Sequence, residues 1–146
     1  MTYTTLGHDK AAMLSKILLL SRMDEVDLRV LAERCQVEGF GPKVMIFEEG
    51  ARGDKMYMIE SGQVIVSKKS HYGQQQIAVL GPGDFFGEIA ILKHIPRTAR
   101  VTTKTACQFL TLDMHNFLQI YANLPGHVRD DMQIIVAKRL AQLRMF

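Results

Sequence analysis

Six short apolar or alternating runs, separated by glycine-containing turns, occupy the middle of the chain. Runs of this length between turn residues are typical of β-strands, and several at close spacing favour a β-sandwich or jelly roll over a βαβ sheet. The sequence therefore predicts a mainly β fold with helices at both ends. The predicted strands cover residues 43–47, 55–60, 63–68, 76–80, 99–103 and 107–112.

Helices are predicted on both sides of this region. A short helix is expected over residues 10–20, and a second begins near Asp24, which can act as its N-cap with Asp27 three residues later. A further helix, capped by Asp113, runs through Ile120. The face of the second helix that should pack on a core carries Leu28, Leu31, Ala32 and Cys35.

The last predicted helix begins near His127, after a break at Pro125-Gly126. Its apolar residues recur every three or four positions, so they form one stripe along the helix. A helix with such a stripe must cover apolar surface elsewhere in the domain. The stripe consists of Val128, Met132, Ile135 or Val136, Leu140 and Leu143.

Length and charge restrict the classes of protein. The 146 residues suit one domain with a sizeable core, and the net charge of +3 comes from scattered basic residues, so no nucleic-acid binding is expected through this chain alone. The longest early apolar run, residues 17–20, is far short of the roughly 20 apolar residues of a membrane span. Since no signal peptide is seen either, we expect a cytoplasmic protein. Residues 1–9 should form a flexible lead and residues 10–146 the domain.

The residues from 81 to 99 combine a glycine turn, an aromatic pair and a short apolar run that closes on Arg97. A helix N-terminus at Gly87 would offer unpaired N–H groups to an anion, and glycine allows the ligand to approach the backbone closely. Arg97 can add a planar, bidentate contact to the same anion. Glu88 would repel an anion unless it accepts a hydrogen bond from a hydroxyl group on the same ligand. An anion with a nearby hydroxyl group describes a ribose phosphate.

This segment resembles the phosphate-binding cassette of the cyclic nucleotide-binding domain family. The likeness rests on Phe86-Gly87-Glu88-Ile89-Ala90-Ile91-Leu92, followed after a short bridge by Pro96-Arg97-Thr98-Ala99. Glycine turns at residues 39–42, 49–54 and 61–62 match the family as well and extend the resemblance to roughly residues 15–145. The resemblance implies a β jelly roll (double-stranded β-helix) with N-terminal helices and a C-terminal lid helix.

The resemblance also implies roles for residues of the cassette. Glu88, with the backbone of Gly87, would hold the ribose 2′-hydroxyl, and Arg97 would neutralise the cyclic phosphate. Backbone N–H groups would point at that phosphate, namely those of Ile89 or Ala90 and those of Thr98 and Ala99.

The base would lie against Val66 and Ala78, beneath the last helix. The resemblance places Arg139 near Glu88 and Leu143 or Arg144 near the base, whereas the alternative for Arg139 is a solvated basic residue on a helix surface.

Thr98 bears on the choice of base. A threonine here resembles the cGMP-capable members of the family, in which its hydroxyl meets the guanine amino group. Alternatively it serves only the phosphate, so both cAMP and cGMP remain open.

The implied function is a sensor of cAMP or cGMP that catalyses nothing, needs no other cofactor and reports occupancy through its last helix. Its expected partner is a second copy bound through that helix, or an unidentified effector. Two alternatives are the ligand-sensing half of a transcription regulator and the gating module of a channel or transporter. A metal-dependent cupin enzyme is disfavoured because the five histidines show neither His-x-His nor His-Glu-x-x-His spacing.

Overall fold

The computed structural model describes residues 7–144, and eight β-strands form its centre. The strands are β1 (Gln36–Phe40), β2 (Met45–Phe47), β3 (Lys55–Ser61), β4 (Val64–Ser70), β5 (Gly73–Leu80), β6 (Phe85–Phe86), β7 (Arg100–Thr103) and β8 (Cys107–Asp113). They form two four-stranded antiparallel sheets with the orders β1-β8-β3-β6 and β2-β7-β4-β5. The predicted jelly-roll fold is confirmed.

Within residues 7–144, five α-helices flank the sheets. They are α1 (Gly7–Ser15), α2 (Glu25–Arg34), α3 (Glu88–Lys93), α4 (Met114–Asn123) and α5 (Gly126–Leu143). Both predicted aspartate caps are confirmed: the Asp24 side chain accepts from the N–H of Asp27 at 3.0 Å, and the Asp113 side chain accepts from the N–H of Asn116 at 2.8 Å. The helices therefore begin where their capping residues indicate.

The sheet that contains β3 and β8 is buried on both faces. Met56 and Met58 of β3 belong to a core shared with the helices, whereas Tyr57 and Ile59 pack between the two sheets. This division follows from the period of two along a strand, which sends successive side chains to opposite faces. Helix α5 contributes Val128, Met132 and Val136 to the helical core, and these residues are buried as the predicted stripe requires.

The first predicted helix is interrupted. Helix α1 ends at Ser15, Ile17 is extended, and a separate 3-10 turn covers Leu18–Leu20. The N–H of Leu18 donates to the carbonyl oxygen of Gly83 at 3.1 Å, so a tertiary hydrogen bond replaces the helical one at this point. Helix α1 starts at Gly7 and so includes the last three residues of the expected lead, while residues 1–6 lie outside the described residues.

Two strands were missing from the sequence prediction. Residues 39–42 were expected to form a turn, yet Gly39 and Phe40 end β1, where they pair with Gln108 and Cys107 of β8. The other missing strand, β6, has only two residues and pairs with β3. Both depend on a distant partner strand, which local sequence does not reveal. Over residues 7–144, no helix is long and apolar enough to span a membrane.

Candidate ligand-binding site

Helix α3 begins at a position that only glycine fits well. Gly87, its N-cap, has a φ of 90°, in the left-handed region that disfavours side chains. A Cβ atom there would lie 2.9 Å from the carbonyl oxygen of Lys55 and 3.0 Å from Nη1 of Arg97. Gly87 thus brings the start of α3 against β3 and the arginine side chain.

Arg97 is 5% exposed, and its guanidinium is held by backbone. Nη1 donates to the carbonyl oxygen of Gly87 at 2.8 Å, and Nη2 donates to that of Lys55 at 2.7 Å. Its Nε is buried and has no hydrogen-bond partner among the described residues. Burial lowers the pKa of Arg97, although the charges of Tyr57, Asp54 and Glu88 oppose this effect. The two terminal nitrogens are thus already engaged, and Nε is the buried donor that lacks an acceptor.

Glu88 is the second buried charge of the site, with 0% exposure. Nη1 of Arg139 lies 2.9 Å from each of its carboxylate oxygens, and Nη2 of Arg139 donates to the carbonyl oxygen of Phe85 at 2.7 Å. Burial raises the pKa of Glu88, while the positive charge of Arg139 works in the opposite direction. The register that the resemblance implies for Arg139 matches its observed position beside Glu88.

An open pocket connects these two charges. It contains about 640 Å³ of space between atoms, including space that is open to solvent. All twelve residues predicted to bind ligand line it: Val66, Ala78, Phe86, Gly87, Glu88, Ile89, Ala90, Arg97, Thr98, Ala99, Arg139 and Leu143. The sequence prediction missed five further lining residues, namely Phe47, Ile77, Leu80, Val101 and Gln142.

The apolar end of the pocket lies between strands β4 and β5 and the end of α5. Val66 and Ala78 are partners in the antiparallel pairing of the two strands, and Leu143 lines the same space from α5. The Nε2 atom of Gln142 donates to the carbonyl oxygen of Ile77 at 3.1 Å, which joins the helix to β5. Four of the five missed residues are apolar strand residues that look like ordinary core in the sequence.

No group of three or more His, Cys, Asp or Glu residues in residues 7–144 is arranged to hold a metal ion. The polar groups of the pocket are instead one carboxylate, two guanidinium groups, an amide and a threonine hydroxyl, those of Glu88, Arg97, Arg139, Gln142 and Thr98.

The jelly roll thus holds a buried arginine and a buried glutamate in one pocket, an arrangement suited to a small ligand with polar groups. The chain belongs to the cyclic nucleotide-binding domain family, whose sequence model matches residues 37–123. Its relatives include regulatory subunits of cAMP-dependent protein kinases.

Two curated relatives illustrate the family. A cAMP-dependent protein kinase regulatory subunit of Yarrowia lipolytica is 32% identical over 118 residues, which is 81% of this chain and 31% of the relative. A CRP-like cAMP-activated global transcriptional regulator of Mycobacterium tuberculosis is 29% identical over 114 residues, 77% of this chain and 50% of the relative. This chain therefore spans at most half the length of these relatives.

Solved structures agree with this assignment. The cAMP-bound form of PfPKA-R is 25% identical and superposes with a TM-score of 0.84, covering 95% of this chain and 46% of that one. The regulatory domain of Toxoplasma gondii PKA, crystallised with cAMP, is 23% identical with a TM-score of 0.81, covering 90% of this chain and 50% of that one. At 23% identity, the second likeness shows the fold alone.

Proposed function

We propose that this domain binds a 3′,5′-cyclic nucleotide, cAMP or cGMP, in the pocket between α3, β4, β5 and α5. The observation that carries the proposal is the pair of buried charges, Arg97 and Glu88, that line one pocket at the start of a helix. A cyclic nucleotide offers a phosphate anion and a ribose hydroxyl on one rigid ring system, and so matches both charges. The curated relatives named above, whose names refer to cAMP, support the same class of ligand.

The phosphate would lie at Arg97 and the N-terminus of α3. A buried N–H group without a partner is costly, and Nε of Arg97 is such a group. A phosphate oxygen would satisfy it with a charge-assisted hydrogen bond. The backbone N–H groups of Ile89 or Ala90, with those of Thr98 and Ala99, would supply further donors around the same anion.

The ribose 2′-hydroxyl would donate to Glu88. The carboxylate is fully buried, so a ribose hydroxyl that reaches it exchanges a hydrogen bond to water for one to a charged acceptor. Both carboxylate oxygens already accept a hydrogen bond from Nη1 of Arg139. The ligand must therefore share Glu88 with Arg139 or displace it, which links occupancy of the pocket to α5.

The base would pack between Val66 and Ala78 on one side and Leu143 on the other. This part of the pocket is apolar, which suits the face of a purine but does not by itself distinguish adenine from guanine. Thr98 supplies a hydroxyl that can meet the guanine amino group, so cGMP is retained as the second candidate ligand beside cAMP.

The regulatory output would be a change in the position or stability of α5. Nucleotide shifts the equilibrium toward the α5 arrangement that binds it better, and that difference in affinity is the only free energy available for signalling. The outward face of α5 carries Ile134, which is 53% exposed, and offers a contact to a second copy or to an effector. The domain would act by binding, without catalysis, as the ligand-sensing part of a transcription regulator, a channel or a transporter, or with a separate effector.

The test is a calorimetric titration of the protein with cAMP, cGMP and 5′-AMP. We expect saturable 1:1 binding of at least one cyclic nucleotide and at least about tenfold weaker binding of 5′-AMP, a difference of about 1.4 kcal/mol. Arg100→Ala, the matched control for Arg97→Ala, should bind as the wild type does. Arg100 lies three residues from Arg97 but pairs with Glu48 and does not line the pocket. Equal affinity for 5′-AMP and the cyclic nucleotides, or no binding of either cyclic nucleotide, contradicts the proposal.

A further inference from the structure

We propose that Phe47 is a positioning residue that fixes the plane of the Arg97 guanidinium for phosphate binding. The inference rests on the proposed function, and names a residue outside the cassette on which the affinity of that site depends. The Cζ atom of Arg97 lies 3.9 Å from the centroid of the Phe47 ring. This is well within the roughly 6 Å at which a cation and an aromatic face attract each other.

The position of Phe47 follows from an irregularity in β2. Met45 pairs with Thr102 and Phe47 pairs with Val101, so two steps along β2 match a single step along β7. Ile46 is the extra residue of a β-bulge, which redirects the side chains that follow it. Both Ile46 and Phe47 consequently pack against the core between the sheets, although a regular strand would send them to opposite faces.

The ring is itself held in place by its neighbours. Its centroid lies 6.1 Å from that of Tyr57 and 5.9 Å from that of Phe86, and these two rings stack on each other at 4.9 Å. Aromatic rings at such centroid distances stabilise one another beyond the area that they bury. Phe47 therefore presents a supported aromatic face to the arginine.

The loop after β2 holds the backbone of the same arginine. The N–H of Arg97 donates to the carbonyl oxygen of Ala51, and the N–H of Gly50 donates to the carbonyl oxygen of Arg97, both at 2.8 Å. A Cβ atom on Gly53 would lie 3.0 Å from both Cζ and Nε of Arg97. One segment, residues 47–53, thus contacts the face of the guanidinium and the main chain of Arg97, and leaves no room for a side chain at position 53.

Together these contacts fix the orientation of the guanidinium plane. The carbonyl oxygens of Gly87 and Lys55 hold Nη1 and Nη2, and the Phe47 ring covers one face. Nε remains the donor without a partner. Without the ring, the guanidinium would gain freedom to tilt and the phosphate would have to order it on binding, which costs affinity.

The experiment compares the wild-type protein with Phe47→Leu and Phe47→Tyr. For each protein, we would measure the dissociation constant of the cyclic nucleotide that the wild type binds. The dissociation constant of the matching nucleoside, adenosine or guanosine, would be measured by competition. We expect Phe47→Leu to lose about 3- to 30-fold in affinity for the cyclic nucleotide, the range of a partly to fully desolvated cation–π contact. The affinity for the nucleoside, which has no phosphate, should stay within about twofold, and Phe47→Tyr should restore wild-type values because it retains the ring.

Phe40→Leu is the matched control. Phe40 belongs to the same core, 5.6 Å from Phe109 between ring centroids, but does not line the pocket. Its loss should leave both affinities unchanged. If Phe47→Leu does not fold, Phe47→Met takes its place, because methionine fills similar space without an aromatic face.

The possible outcomes separate the two proposals. Equal losses for nucleotide and nucleoside in Phe47→Leu show that Phe47 only packs the pocket, and this overturns the positioning role while the proposed function stands. An unchanged affinity of Phe47→Leu for the cyclic nucleotide also overturns the positioning role and leaves the proposed function standing. Failure of the wild-type protein to bind either cyclic nucleotide overturns both proposals.

Discussion

Nη1 of Arg139 lies 2.9 Å from both carboxylate oxygens of Glu88, although the two residues are 51 positions apart in the sequence. Glu88 is fully buried at the start of α3, and Arg139 reaches it from the second half of α5. Because a buried carboxylate depends on its partner, this ion pair connects the candidate ligand site with the last helix of the domain.

Removal of Arg139 should destabilise the fold through Glu88. In Arg139→Met we expect a loss of about 3 kcal/mol in the free energy of unfolding, because the carboxylate is left buried without its cation. Adding Glu88→Gln should recover part of that loss, since the neutral amide costs less to bury. Urea unfolding of the two single variants and the double variant measures this coupling, and strictly additive losses would show that the pair is energetically independent.

Glu88→Gln should alter recognition of the ribose. Wild-type protein should bind the cyclic nucleotide about tenfold more tightly than its 2′-deoxy analogue, because a hydrogen bond to a charged group contributes about 1.5 kcal/mol or more. In Glu88→Gln this preference should fall to about twofold. The measurement is a titration of both proteins with both ligands. An undiminished preference in the variant places the ribose hydroxyl elsewhere.

Arg97→Ala should affect affinity and stability together. Loss of the charge-assisted phosphate contact should weaken cyclic nucleotide binding by about ten- to a hundredfold or more. The melting temperature should also fall, because the carbonyl oxygens of Gly87 and Lys55 lose their donors. Calorimetric titration and thermal unfolding test the two effects. An affinity unchanged in a folded variant would remove Arg97 from the site.

Thr98→Ala separates the two candidate nucleotides. If the hydroxyl meets the guanine amino group, cGMP affinity should fall by about fivefold while cAMP affinity stays the same. A fivefold change corresponds to the loss of about 1 kcal/mol from one neutral hydrogen bond. Equal losses for both ligands would indicate that the hydroxyl serves the phosphate. Thr102→Ala is the matched control, since this threonine lies on β7 and does not line the pocket.

Glu38 should give the protein a measurable sensitivity to acid. Partial burial would raise the pKa of Glu38, but the hydrogen bonds from Lys55 and Thr111 more than offset it and hold the pKa below the ordinary 4.5. A lowered folded-state pKa gives stability that is present above 4.5 and is lost as the pH falls through the folded-state pKa. The wild type should therefore have a higher melting temperature than Glu38→Gln near neutral pH.

Thermal unfolding of both proteins between about pH 7 and about pH 3 measures this difference, which should shrink steadily as the pH drops below the ordinary glutamate value. A Glu38 difference that is constant over the range rules out the linkage.

Local sequence was sufficient for much of the fold. The short apolar run of β3, the capping aspartates Asp24 and Asp113, and the apolar stripe of α5 each produced the expected element, because they act within a few residues. The first helix was predicted too long, since the hydrogen bond from Leu18 to Gly83 ends it and involves a residue 65 positions away in the printed sequence.

The sequence by itself indicated Gly87, Glu88 and Arg97 as candidate site residues, because they lie close together in one segment whose residue types suit an anion with a neighbouring hydroxyl. Tertiary structure alone decided how they are held. Arg139 comes from another helix, and Phe47 reaches Arg97 only through a bulge in β2. Apart from the family resemblance, which places Arg139 near Glu88, nothing in residue type or spacing distinguishes these two residues from ordinary surface and core residues, since burial and charge partners arise only when distant segments meet.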